Sequence, residues 1–230
     1  LIIIKNVISK KQIYYKRMYL MTYLIGHIDP EKAFGVTIEN NIDKEVIVEY
    51  IPQYEIHKLD IFKFDAIIIP NFVDQEYLYR HKRLIDDYLN AKKVIVFFGH
   101  LFKPFLPKTA LFMPEHINHF SDYSLYPNND SSIYANVDTD DMTFNKGVAG
   151  FFARGHYQTQ PEHEIHLTFR NGHVVTYVDR ISTEGTLFMH AGRSLLGYIA
   201  QNKTTDYISS QFTTWLKQEI TSLQGGEFNE

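Results

Sequence analysis

The chain contains no cysteine. That absence removes disulfides, thiolate nucleophiles, zinc ribbons and iron-sulfur clusters at once, and it suits a reducing compartment, so a cytoplasmic location is expected. Long hydrophobic runs are missing too: no window approaches the roughly 18 apolar residues of a membrane span. Neither Gly-Lys-Ser/Thr nor Gly-x-Ser-x-Gly occurs, which argues against a phosphate loop and a serine-hydrolase elbow. Acidic residues are absent from positions 1 to 21, which carry Lys5, Lys10, Lys11, Lys16 and Arg17. Setting these five aside from 23 basic residues leaves 18 against 27 acidic ones, a net charge of −9 for the rest of the chain. A body this acidic is a poor nucleic-acid surface, and no nucleic-acid partner is expected.

The first 21 residues open on Leu and place their apolar residues ahead of their basic ones, the reverse of a secretory signal. They read as an upstream extension before an effective start at Met18 or Met21, with a short basic arm for an anionic partner as the rival reading. With 44% hydrophobic residues over 230 positions, the chain is long enough for one substantial α/β domain, assigned to residues 22 to 230.

The stretch from 64 to 100 organises that domain. Phe64 to Pro70 and Val94 to Phe98 are continuous apolar runs, the signature of strands covered on both faces in a parallel sheet. Between them Leu78, Leu84, Ile85, Tyr88 and Leu89 recur at helical spacing behind Asp74, a natural N-cap, so the segment reads as a βαβ unit. Thr22 to Ile28 and Lys44 to Ile51 are expected as strands before it. Leu101 to Tyr134, with Pro104, Pro107, Pro114 and Pro127, is expected to be a long, sparsely structured excursion over the sheet edge. Two β runs, Glu164 to Phe169 and Val174 to Asp179, flank Asn171-Gly172 and predict a hairpin. Thr186 to His190 is a last strand, Arg193 to Gln201 reads as a helix start, and Tyr207 to Leu223 is an amphipathic helix.

This order of elements resembles the class I glutamine amidotransferase-like superfamily, of the trehalose-utilisation (ThuA-like) and flavodoxin-like kind. The resemblance rests on the FDAIIIP strand, a helix, the VIVFFGH strand ending in a sharp turn, a β-rich segment, and a late strand ending in His before a helix. It implies a three-layer sandwich with a mostly parallel central sheet. It also shows what has been lost. Where that superfamily carries Gly-x-Cys-x-Gly at its nucleophile elbow, this chain has Phe98-Gly99-His100-Leu101-Phe102, and the late His-x-Glu pair becomes His190-Ala191-Gly192. Without a thiolate, glutamine hydrolysis by the superfamily's route is excluded.

Strand ends in such sheets converge on ligands. His100 at the elbow and His190 after the last strand are the candidate catalytic residues, as general acid and base. Asn71 after the central strand, Gly99, Arg154, His156, and His27 at the end of the first strand are candidate ligand-binding residues. Around Arg154 the spacing of His156, His163, Glu164 and His166 leaves only Glu164 and His166 on one strand face, so no metal site is assigned from it, and no cofactor is identified. The resulting expectation is a protein without glutaminase activity that binds a small polar molecule, a sugar or a carboxylated metabolite, at the strand C-terminal ends. Two alternatives remain: a His-based or metal-assisted hydrolase, lyase or isomerase of the ThuA-like type, and a structural subunit of an assembly. A homo-oligomer is left open.

Overall fold

The computed structural model describes residues 22–30, 43–145 and 147–225; the expected extension or basic arm over 1–21 lies outside them. Strands β1 (Tyr23–Asp29), β2 (Val46–Pro52), β3 (Ala66–Ile69) and β4 (Val94–Phe98) precede the short β5 (Met113–Pro114) and β6 (Leu125–Pro127). Two small ribbon elements, β7 (Phe144–Asn145) and β8 (Val148–Ala149), and β9 (Gly155–His156) follow, before β10 (Glu164–Phe169), β11 (Val174–Asp179) and β12 (Thr186–His190). The helices are α1 (Gln75–Arg80), α2 (Lys82–Asn90), α3 (Thr139–Thr143) and α4 (Asp206–Leu223).

Eight strands form one sheet in the order β2-β1-β3-β4-β12-β11-β10-β6. The first five run parallel, and β11, β10 and β6 extend the sheet antiparallel. The architecture is therefore α/β with a mostly parallel sheet. Its parallel half has the 2-1-3-4-5 order of one common doubly wound arrangement, in which ligands gather beyond the strand C-termini. Every residue of β3, β4 and β12 is buried, which is why these segments read as unbroken apolar runs.

Register decides which side chains meet which layer. His27, Ile68, Val96 and Phe188 lie side by side across four strands, as do Phe98 and His190. On this face α4 docks: Phe212 meets Phe98 and Phe188, Trp215 meets Phe188, and the Tyr23 hydroxyl shares a hydrogen bond with Thr221 Oγ1 at 2.9 Å. On the other face Phe97 packs edge-on against Phe105. The Asp74 carboxylate caps α1 by accepting from Tyr77 N–H at 2.9 Å.

Three sequence expectations change. The single helix expected after β3 is broken at His81, whose backbone (φ −106°, ψ 17°) makes three-residue hydrogen bonds to either side while its ring stacks on His57 at 4.7 Å. The helix expected from Arg193 is only one turn, Leu195–Gly197. The 101 to 134 excursion does more than cross the sheet edge, because β6 joins β10 and supplies its last strand, while Leu125, Ile133 and Tyr134 enter the core. The Asn171-Gly172 hairpin forms with Gly172 at φ +86° and a Gly172 N–H to Phe169 O bond of 2.9 Å. Among the described residues, no helix is long and apolar enough to cross a membrane.

The turn into β12 tests the packing of this frame. A Cβ on Gly185 would lie 2.2 Å from Lys93 O and 2.4 Å from Leu89 O, both backbone atoms that cannot swing away, whereas Gly197 has nothing within 4 Å. Gly185→Ala is expected to cost about 1–3 kcal/mol, the usual range for overpacking, and to lower Tm by roughly 2–4 °C per kcal/mol. Gly197→Ala should stay within about 0.5 kcal/mol of the parent. Paired urea and thermal melts check the contrast.

Candidate functional site

The C-terminal ends of β3, β4 and β12 open onto one cleft with two lobes. The larger, about 380 Å³, is lined by Asn71, Phe72, Asp141, Arg193, Ser194 and Gln201 among others. The smaller, about 170 Å³, is lined by Asn71, His100, Arg154, Gly192 and Arg193 with the 150–153 segment. Asn71, Phe151, Phe152 and Arg193 belong to both lobes and form their common wall.

The floor is built by main-chain hydrogen bonds. Gly99 leaves β4 at φ +118°, and its N–H donates to His190 O at 2.9 Å, so the elbow is tied to the end of β12. A Cβ at Gly99 would press on Asn71 Cγ and Oδ1 at 3.0 Å; this position needs glycine for both its φ and its closeness to Asn71. Two side chains then hold the elbow from outside. Tyr157 Oη donates to Gly99 O at 2.6 Å and accepts from Leu101 N–H at 3.2 Å. Gln75, at the start of α1, donates to His100 O at 2.6 Å and accepts from Phe102 and Lys103 N–H at 2.7 and 3.1 Å. With its backbone thus satisfied, the turn presents the half-buried His100 ring to the smaller lobe, flat against Phe112 at 3.8 Å.

The roof is the 150–154 segment. An Ala153–Gly192 bridge and an Arg193 N–H to Phe152 O bond of 3.3 Å fasten it over the β12 turn. Arg154 Nε donates back to Gly150 O at 2.9 Å, which fixes the guanidinium at the lobe. Among the described residues neither Arg154 nor Arg193 has a carboxylate within ion-pair distance, in contrast to Arg180, which pairs with both Glu164 and Glu219. His100 has its pKa lowered by burial first and by the Arg154 charge second, so it is neutral at physiological pH. Asn71 Oδ1 is buried without a hydrogen-bond partner at the junction of the two lobes. Phe72, 60% exposed at the rim, is held at φ +68°, a costly conformation for a bulky residue.

The cleft therefore brings together Asn71, His100 and Arg154, with Gly99 in its floor. The other expected site residues lie elsewhere. His190 is fully buried beneath the floor: its Nδ1 shares a 2.7 Å hydrogen bond with Thr176 Oγ1, its Nε2 faces Gly192, and it lines neither lobe. Burial lowers its pKa to about 3. His27 is buried on the α4 face of β1 with its ring edge-on to Tyr50, and burial lowers its pKa to about 4. His156 points to Glu115, with Nδ1 to Oε2 at 2.9 Å, and its pKa is lowered by burial and then by nearby His173. Glu164 and His166, which share a strand face by spacing, do meet, at 2.8 Å. His166 also bonds Ser131 at 2.8 Å, and together with Arg180 it makes Glu164 part of an ion network, pulling that carboxyl down to about 2.

Sequence reasoning missed Arg193, Phe151, Gln75, Tyr157 and Asp141. Arg193 had a usable signal, since it stands three residues beyond His190 in the same strand-end turn. The others come from distant segments that nothing in the local pattern links to the elbow.

Buried neutral histidines give a pH signature. The folded state holds His190 near pKa 3 and His27 near 4, below the ordinary 6.5 of an unfolded chain. Their contribution is thus fully present above pH 6.5 and is lost as pH falls, because only the unfolded state takes up the protons; by pH 4 each loses on the order of 3 kcal/mol. Urea midpoints should fall steadily from pH 7 to pH 4.5, and His190→Gln should flatten that slope by about one proton. An unchanged slope would assign the pH dependence to other groups.

No protein-family model matches the chain, and no curated protein matches it in sequence. Among solved structures it is similar to Cytoplasmic Protein STM1381 from Salmonella typhimurium LT2, with 12% identity, 90% of this chain and 100% of that one covered, and a TM-score of 0.43. Cytoplasmic Protein STM3548 from Salmonella typhimurium aligns at 10% identity over 83% of this chain and 98% of its own, with a TM-score of 0.44. The exo-beta-1,4-mannosidase Op5Man5 from Opitutaceae bacterium strain TAV5 aligns at 9% identity over 89% of this chain and 35% of its own, with a TM-score of 0.37. Identities this low leave the chemistry to be read from this chain's own residues.

Proposed function

We propose that this chain is a small-molecule-binding protein whose strand-end cleft takes a carboxylated, hydroxyl-bearing metabolite. The observation that carries the reading is the pair of guanidiniums, Arg154 and Arg193, lining the smaller lobe beside a neutral His100 with no carboxylate partner among the described residues. Two unpaired cations at one cavity favour an anionic group, and a planar fork suits a carboxylate in particular. The larger lobe then offers Ser194 and Gln201 to hydroxyl groups, with Phe72 and Phe151 as apolar walls. Its volume suits a molecule of metabolite size.

The amidotransferase-like resemblance is supported by the strand order and by the elbow at Gly99-His100, with an imidazole standing where that superfamily has its thiolate. A His-based acid and base pair finds less support. His190 lies under the floor, so such chemistry would rest on His100 alone.

Calorimetric titration with gluconate, citrate and glucose tests the proposal. An acid is expected to bind while glucose does not, and Arg193→Ala should weaken the acid by about 10- to 100-fold, the value of a charge-assisted hydrogen bond. Equal affinity for acid and neutral sugar, or an Arg193→Ala variant that binds as the parent does, would overturn it.

A further inference from the structure

A second polar cluster lies outside the cleft, and none of its members lines either lobe. The β5 and β9 strands pair Met113 with His156, and Glu115 N–H continues the ribbon to Arg154 O at 3.0 Å. The ribbon is close-packed at Gly155, where a Cβ would lie 2.2 Å from Met113 O, so Glu115 and His156 are set by backbone rather than by flexible side chains. A Tyr157 N–H to Val174 O bond of 2.9 Å brings the end of the β10–β11 hairpin alongside and lays His173 on His156, rings 4.0 Å apart and 26° from parallel.

The result is three ligand atoms converging on one point. Glu115 Oε2 is 2.9 Å from His156 Nδ1 and 2.9 Å from His173 Nδ1, and one potential ligand atom from each of the three residues falls within 4.8 Å of the other two. We infer that Glu115, His156 and His173 form a binding site for a divalent transition-metal ion of the zinc class. Two imidazole nitrogens and a carboxylate oxygen are a common donor set for such ions, leaving a fourth position for water or another ligand.

Two further observations point the same way. His156, 92% buried, has no hydrogen-bond partner at Nδ1: despite the 2.9 Å approach, the carboxylate lies out of line for an N–H donor. An ion on the Nδ1 lone-pair axis would meet the carboxylate oxygen off that axis, as the angle between two ligands of one metal requires. The carboxylate is also held from behind. Asn171 Nδ2 donates to Glu115 Oε1 at 2.8 Å, while Asn171 Oδ1 accepts from His173 N–H at 3.1 Å, so one amide orients two of the three ligands. Burial is graded across the site: the Glu115 side chain is 4% exposed and that of His173 47%, so the open position and the entry path lie on the His173 side.

The test uses the untagged full chain, stripped with chelator and titrated with Co²⁺ by visible absorption and with Zn²⁺ by calorimetry. One equivalent of Co²⁺ is expected to give ligand-field bands, and Zn²⁺ should abolish them by displacement. His173→Ala removes a half-exposed ligand, so it should keep the metal-free melting temperature of the parent yet lose the bands and at least about tenfold in Zn²⁺ affinity. Asn171→Ala should weaken binding by about 10- to 100-fold, and His119→Ala, an exposed histidine elsewhere, should change nothing. Absence of one-equivalent binding by the parent, or parental binding by folded His173→Ala, would overturn the assignment.

Discussion

The pairing of Val94–Phe98 with Thr186–His190 is the constraint on which the rest of the molecule depends. It is the last parallel pairing of the sheet, a seam next to the antiparallel extension that starts at β11, and it joins chain segments that the whole middle of the sequence separates. Buried on both faces, it brings together Phe98, Phe188 and His190 under α4, with Phe212 closing over Phe98 and Phe188. Its last rung, Gly99 N–H to His190 O, sets the elbow beside the Ala191-Gly192-Arg193 turn. That rung helps bring His100 and Arg193 to the same cavity.

The cleft follows from conflicting demands at this seam. A strand that ends in a sharp turn must satisfy its freed backbone groups, and Tyr157 and Gln75 do so from two different segments. Their hydrogen bonds leave the His100 ring free to face the lobe, while the 150–154 roof is tied down by its own bridge to Gly192. Arg154 and Arg193 stand at the cavity without a carboxylate partner among the described residues, whereas Lys217 reaches Asp43 and Glu45 at 2.6 and 2.9 Å and Arg180 pairs with Glu164 and Glu219. The meeting of two such guanidiniums at one cavity is the feature from which the ligand proposal is argued.

Histidine has three different fates here, decided by what surrounds the ring. His190 and His27 are enclosed by the sheet and α4 and stay neutral because burial penalises the charge. His100 is half open and is tuned by burial and by Arg154. His156 and His173 face one carboxylate from stacked rings, a geometry that no strand periodicity can announce because His173 enters from a hairpin far along the chain. Residue type alone did not separate these roles, and burial does.

The sequence by itself determined the strands of the seam, the hairpin at Asn171-Gly172 and the docking helix α4, because continuous apolar runs, an Asn-Gly turn and a helical stripe are local consequences of backbone geometry and burial. It also placed Asn71, Gly99 and His100 at strand ends, since a strand end is a position along the chain. Tertiary structure decided the rest. It put His190 beneath the floor instead of in the cleft, because the side chain leaves β12 on the face that α4 covers. It brought Arg193 and Arg154 together through the roof, recruited β6 from an apparent loop, and joined Glu115 to His156 and His173. Each of these depends on which distant segments pair, a matter of long-range register that no local pattern of residues contains.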